Sequence, residues 1–488
     1  MVLLKLSKKL INIYGNCISR NNLRRDIMFT KEKLEKYLER CLKTGADFAE
    51  LFIEKSNNTN YSYIDSKVDD ISSVYDYGMG IRIALGNDIV YGAINKLEDE
   101  VILNKIDELT KYFNSDVKYC NVNLKEEEIP LINEIKIWPK DYDDEKKIKL
   151  LSDINSLVRS KDERVIQVDI NLSEKESEII IANSLGKYVK DHRLRLRLYT
   201  SLTVEENGKK KNMLNTYGGS FGYENFVNFD IHSFVDNLVT LAIKKLNAKP
   251  CPGGEMPVVL GDGFCGTIMH EAVGHTLEAT SVGIGESIMC GKLGKKVASS
   301  KLTLVDDGTI KNAWGSSNID DEGNITKKNV LIDKGVVTNY LVDYLNERKM
   351  HMTSNGCGRR QSYLYAPTSR MSNTFIVNGN DKVEDMIKSI DYGLLVRKMN
   401  GGTVKPETGD FNFNGTSCAI IRNGKIEEEV DDAILIGNAL DIIKNISMVS
   451  DNMTLATGYC GSLSGTIPVT VGEPYIKVDK IIVGGSDV

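Results

Sequence analysis

Met269-His270-Glu271-Ala272-Val273-Gly274-His275-Thr276-Leu277-Glu278-Ala279 is the stretch from which the rest of this chain is read. It holds two of only five histidines, and an acid directly follows the first. Imidazole is a common metal ligand, and a carboxylate beside a metal-bound water can take that water's proton. The familiar helical pattern is H-E-x-x-H, with both histidines on one face. Here the spacing is H-E-x-x-x-H. On a regular helix, positions four apart diverge by about 40° around the axis, and positions five apart by about 140°. His270 and His275 converge only if the helix widens locally into a π-turn. Gly274 would tolerate such a distortion.

Two histidines do not complete a catalytic metal site, which usually has three protein ligands and an open position. Glu278 is near in sequence. Cys460 stands out among the cysteines because Gly458-Tyr459-Cys460-Gly461 sets it in a glycine-flanked run. At this point the residues resemble a family. The motif from His270 to Glu278 is similar to that of the TldD branch of the TldD/PmbA (TldD/TldE) family of zinc metallopeptidases. Gly253-Gly254-Glu255-Met256-Pro257 before it is also similar, as are Val305-Asp306-Asp307-Gly308-Thr309 and Ile319-Asp320-Asp321-Glu322-Gly323 after it. So are Gly358-Arg359-Arg360-Gln361-Ser362-Tyr363, Arg370-Met371-Ser372-Asn373-Thr374, and the run from Cys460-Gly461 to Val483-Gly484-Gly485. The likeness covers nearly all of the C-terminal half and, more loosely, the N-terminal half from Met28. One departure is Gly356-Cys357-Gly358, where a Gly-Asn-Gly loop is expected.

The resemblance implies one Zn²⁺ per chain, held by His270, His275 and Cys460, with Glu271 as catalytic base. It also implies an enclosed dimer, either of this chain with itself or with a motif-less TldE/PmbA-like paralogue. Substrates would be unfolded polypeptides or small peptides, in general turnover or leader-peptide trimming. An exposed sheet edge would suit them by strand addition. Glu278 is then read as an acceptor orienting a ligand histidine. Arg359 and Arg360 are read either as holding substrate through their guanidinium forks or as internal salt bridges. Two other readings remain. One is a peptide-binding or regulatory subunit with a structural zinc. The other is a metal hydrolase of a non-peptide amide.

At 488 residues the chain has room for two or three cores. A net charge of −6 gives no electrostatic reason to expect nucleic acid. No apolar run is long enough to cross a membrane as a helix. Nine scattered cysteines lack a disulfide framework and favour a reducing compartment, so a cytoplasmic location is expected. Residues 1–27 are basic and acid-poor up to Arg25. They read as an extension that is disordered or precedes the true start at Met28, with a transit peptide as the alternative.

The fold class expected is α+β in two domains. Residues 28–246 form a mixed α/β domain. Residues 247–488 form a catalytic domain rich in antiparallel sheet, carrying the motif helix. The boundary falls in Ala248-Lys249-Pro250-Cys251-Pro252-Gly253-Gly254. Residues 31–43 show one apolar stripe, with Thr30 as N-cap and Gly45 as a stop; further helices are expected at 98–113, 146–158 and 231–246. Residues 193–198 alternate Arg and Leu, the period of a strand with one solvated face. Asp307-Gly308, Lys334-Gly335 and Asn423-Gly424 read as hairpin turns. The glycines of 283–296 suggest a mobile loop beside the site. His351 is expected to be structural, and Cys265 and Cys290 to be buried apolar residues.

Overall fold

The computed structural model describes residues 29–113, 115 and 121–485. The extension at 1–27 lies outside the described residues. Helix α1 (Lys31–Cys41) begins where expected: Thr30 Oγ1 accepts from Lys33 N, and Leu34, Tyr37, Leu38 and Cys41 are buried on one stripe. Long strands follow: β1 (Phe48–Ile64), β2 (Lys67–Leu85) and β3 (Asp88–Ile94). Helices α2 (Asp99–Thr110) and α3 (Asp144–Lys161) precede β4 (Val165–Asn183), β5 (Lys187–Glu206) and β6 (Lys209–Gly219). Helix α4 (Ile231–Leu246) closes this half.

These strands form one seven-stranded sheet in the order β3-β2-β1-β4-β5, with β6 and a two-residue strand, Lys125–Glu126, both pairing β5. The period of two sends alternate side chains to opposite faces. Leu51 and Ile53 pack toward α1 and α2, and Leu194, Leu196 and Leu198 toward α3 and α4. Glu50, Phe52 and Glu54, with Arg193, Arg195 and Arg197, occupy the other face of their strands. That face is not solvated, which corrects the expectation for residues 193–198. It is covered by the C-terminal half, where Phe52, Ile179, Ile181 and Val189 meet Ile319 and Tyr363.

The C-terminal half has β7 (Gly254–Gly263), β8 (Leu304–Asp307), β9 (Lys328–Asp333), β10 (Asn373–Ile376) and β11 (Tyr392–Val404). Then come β12 (Asp410–Arg422), β13 (Lys425–Val430), β14 (Ala433–Asn438), β15 (Thr454–Ser462), β16 (Gly465–Glu473) and β17 (Ile476–Gly484). β11 pairs β7, β7 pairs β17, β17 pairs β14, β14 pairs β12, and β12 pairs β11 again. The sheet thus closes on itself, with β13 added beside β12. A second sheet runs β9-β8-β10-β16-β15, with Val336–Val337 beside β9. Most pairings are antiparallel; the parallel pairs among the named strands of this half are β11–β7 and β10–β16.

Lys334-Gly335 and Asn423-Gly424 are tight hairpin turns with positive φ at both residues, which a right-twisted two-residue hairpin requires. Asp307-Gly308 is not one. β8 pairs β9 across an excursion of residues 308–327, and that excursion reaches the N-terminal sheet. The glycine-rich 283–296 segment is pinned to its surroundings. Ser287 Oγ donates to Thr276 O, and Tyr340 Oη donates to Met289 O.

Candidate metal centre

The motif helix starts at Thr267 and buries Ile268, Met269, Ala272 and Val273 in the main C-terminal core. At His270–Gly274 it widens into a π-turn, with His275 N bonded to His270 O. The extra residue is absorbed there, and both histidines reach one side. Their rings lie 5.2 Å apart at 84°. Gly274 itself has an ordinary helical φ of −58°. Its lack of a side chain serves packing rather than backbone freedom: a Cβ would stand 2.0 Å from Met371 Sδ.

β15 brings the sulfur of Cys460 to the two histidines. Cys460 Sγ lies 3.1 Å from His275 Nε2, and Glu271 Oε2 lies 3.5 Å from the same nitrogen. One donor atom from each of His270, Glu271, His275 and Cys460 falls within 4.8 Å of the others. Neither ring nitrogen of His270 has a hydrogen-bond partner, although the residue is 1% exposed. A buried imidazole with two unmet nitrogens is costly unless something else satisfies it. Burial pushes His270 well below its ordinary pKa, which favours the neutral form a metal requires. Burial also raises Glu271. For His275, burial opposes a proton, but the Glu278 carboxylate and Cys460 push its pKa well above the ordinary value. The cluster therefore draws positive charge to the point where its donors meet. Two imidazoles, a thiol and a nearby carboxylate form a donor set that fits zinc.

Glu278 Oε2 lies 2.9 Å from His275 Nδ1, so Nδ1–H is held and Nε2 is free to donate its lone pair. The other oxygen, Oε1, accepts from Met371 N at 3.3 Å. Arg370, unassigned from the sequence, is 1% exposed and joins the two halves of the site. Its Nη2 donates to Cys460 O at 2.6 Å, and its Nε lies 3.9 Å from Glu278 Oε1. Trp314 Nε1 donates to Gly458 O at 2.8 Å. Its only sequence signal was rarity, as one of two tryptophans.

Arg359 and Arg360 do not stand in an open site. Arg360 pairs with Glu50 of the N-terminal sheet at 2.6 Å and has no exposed side-chain surface. Arg359 Nη2 donates to Pro468 O at 2.8 Å, and its Nη1 to Met371 O. The internal-pairing alternative describes Arg360, and main-chain carbonyls occupy Arg359. His351 ends a short helix at φ 53° and is outside the donor cluster.

Family models match three stretches of the chain. Residues 49–111 match the PmbA/TldA metallopeptidase domain 1, residues 137–246 the central domain, and residues 253–485 the C-terminal domain. A metalloprotease TldD homolog of Haemophilus influenzae is 35% identical over 453 residues, covering 90% of this chain and 93% of that protein. The one from Buchnera aphidicola of Acyrthosiphon pisum is 33% identical over 464 residues, covering 92% and 95%. The chain belongs to the PmbA/TldD metallopeptidase family. Its fold is also that of the crystal structure of TldE from Thermococcus kodakarensis, with a TM-score of 0.75 at 20% identity, covering 93% of this chain and 99% of that one. Within the family framework, the first two model stretches contribute strands to a single sheet, and the third supplies the motif helix and Cys460.

Proposed function

We propose that this chain is a zinc-dependent peptidase of unfolded polypeptides or small peptides, with His270, His275 and Cys460 holding the metal and Glu271 acting as base. The observation that carries the reading is the π-turn, which turns an H-E-x-x-x-H spacing into one convergent donor set beside Cys460. A relative from Saccharolobus solfataricus, 25% identical over 462 residues, bears the name zinc metalloprotease TldD homolog.

Bound there, zinc supplies a Lewis acid that polarises a carbonyl and acidifies water. Glu271, raised in proton affinity by burial, takes the proton of the attacking water and passes it to the leaving amine nitrogen. Glu278 holds His275 in the tautomer whose Nε2 faces Cys460. Arg370 holds the Cys460 carbonyl and so fixes the strand from which the thiol projects. A purely structural zinc has no use for the carboxylate of Glu271 at 3.5 Å from a ligand nitrogen. This favours the enzyme over a regulatory subunit.

β15 is the last strand of its sheet, and its free edge is partly occupied: Trp314 and Arg370 take the carbonyls of Gly458 and Cys460. An extended substrate would therefore pair with β15 outside those two positions. Assembly as a homodimer, or with a motif-less paralogue, belongs to this proposal and would enclose the site.

The test is degradation of an unfolded polypeptide by the zinc-loaded chain, alone and with such a paralogue, beside Glu271→Gln. Turnover should fall by about 10²–10⁴-fold in the variant, the range for loss of a general base. Equal rates in the two proteins would contradict the assigned role.

A further inference from the structure

A cavity of about 490 Å³ lies between the two halves, walled by Phe264, Tyr459 and Tyr475 and reached by Arg197 and Lys398. Gly458 and Tyr459, immediately before the ligand Cys460, form part of its lining. The size is that of a small-ligand site.

Of its three cations, Arg197 and Lys398 have no carboxylate partner among the described ion pairs. The Arg197 guanidinium stacks 5.0 Å from the Tyr459 ring centre and 5.9 Å from that of Trp314. Its Nε is buried without a hydrogen-bond partner, while the rest of the guanidinium is hydrogen-bonded to the Tyr459 side chain rather than to a carboxylate. The ammonium of Lys398 donates to the Leu214 carbonyl oxygen. Burial, only partly opposed by the nearby Cys265 thiol, lowers its pKa to about 8. By contrast, Arg397 on the same cavity is already paired with Glu429 at 2.6 Å. The acid in the lining, Asp262, takes a hydrogen bond from Tyr475. Two largely buried cations that meet only neutral acceptors beside aromatic walls suit an anion carried on a partly apolar group.

We infer that this cavity is a subsite for the free α-carboxylate of a peptide substrate, with Arg197 and Lys398 binding the carboxylate and Phe264, Tyr459 and Tyr475 flanking the terminal residue. The inference rests on the peptidase reading above and adds an end-preference to it. The neighbouring paired arginines, Arg193 and Arg397, show what the same side chain does in this fold when its partner is internal.

The test uses two labelled, unstructured peptides of one sequence, one ending in a carboxylate and one in a carboxamide. Both contain an internal glutamate. Binding is read by fluorescence anisotropy on zinc-loaded Glu271→Gln, so it does not depend on cleavage. Cleavage is followed separately with the wild type. The free acid should bind about tenfold tighter or better, the scale of a hydrogen-bonded charge pair. Arg197→Gln or Lys398→Gln, each added to Glu271→Gln, should bring the acid-to-amide ratio toward one. Equal binding of acid and amide overturns the subsite, because the internal glutamate then suffices. An unchanged ratio in both added variants overturns it as well. Discrimination without any wild-type cleavage, alone or with the motif-less paralogue, would leave the subsite standing and remove the peptidase reading. Cleavage without discrimination would do the reverse.

Discussion

Glu278 shows what a single residue contributes to this site. One carboxylate oxygen orients His275 and the other takes the Met371 amide, so the side chain joins the motif helix to the segment behind it. Glu278→Gln keeps the size but loses the charge. Zinc affinity, measured by competition with a chelator, should fall about 10–100-fold, as for other partners of metal-bound imidazoles. An unchanged affinity would show that Glu278 does not orient the ligand. The residues around the motif were legible in sequence because two scarce histidines and an acid stood at informative spacing. Arg370 and Trp314 were not assigned roles. Each acts on a main-chain carbonyl about 90 to 144 residues away, and nothing in local spacing encodes such a contact.

At the scale of the element, the π-turn is the feature on which convergence depends. The spacing demanded it if both histidines were to meet, and the helix has it at His270–Gly274. The reason for Gly274 was not legible. It is packing against Met371, a residue 97 positions on, rather than backbone freedom. Gly274→Ala should force a shift of Met371 or of the helix and destabilise the chain by about 1–3 kcal/mol, the usual range for overpacking. Chemical denaturation of the metal-free protein reads this; stability equal to wild type would mean that the Met371 side chain moves aside freely. Alternation of Arg and Leu at 193–198 identified a strand, as did the runs near Phe48 and Val165, although the strands proved longer. Which face met solvent could not be read, because a periodic pattern does not say what covers the polar side. Asp307-Gly308 failed as a hairpin because turn chemistry fixes a local bend but not the strand that follows.

Across the whole molecule, the two halves meet through buried charge. Arg82 pairs with Glu50 at 2.6 Å and donates a hydrogen bond to Glu322 Oε1 at 2.7 Å, Arg360 reaches Glu50, and Arg193 reaches Asp321 at 2.6 Å. Removing one member of such a network commonly costs about 3–5 kcal/mol, because its partner is left buried and unpaired. Burial raises Glu322 from an ordinary 4.5 to about 8. The folded chain thus holds a proton that the unfolded chain releases, so stability is fully present below pH 4.5 from this group and declines as pH rises toward 8. The melting temperature of wild type should fall between pH 6 and 8.5, and Glu322→Gln should flatten that slope. A slope identical in both proteins would assign the pH dependence elsewhere. The linker at residues 248–254 suggested a boundary, but the ionic contact between the halves was not legible. Its members are spread from Glu50 to Arg360, and each alone looks like an ordinary surface charge.

In the proposed site a widened helix and a distant strand hold one zinc ion between them. The most direct measurement is metal content per chain after dialysis against a weak chelator, for the wild type and for Cys460→Ala. One zinc per wild-type chain is expected, with a sharp loss in the variant. A Cys460→Ala protein that keeps full zinc occupancy would contradict it and make Glu278 the third ligand.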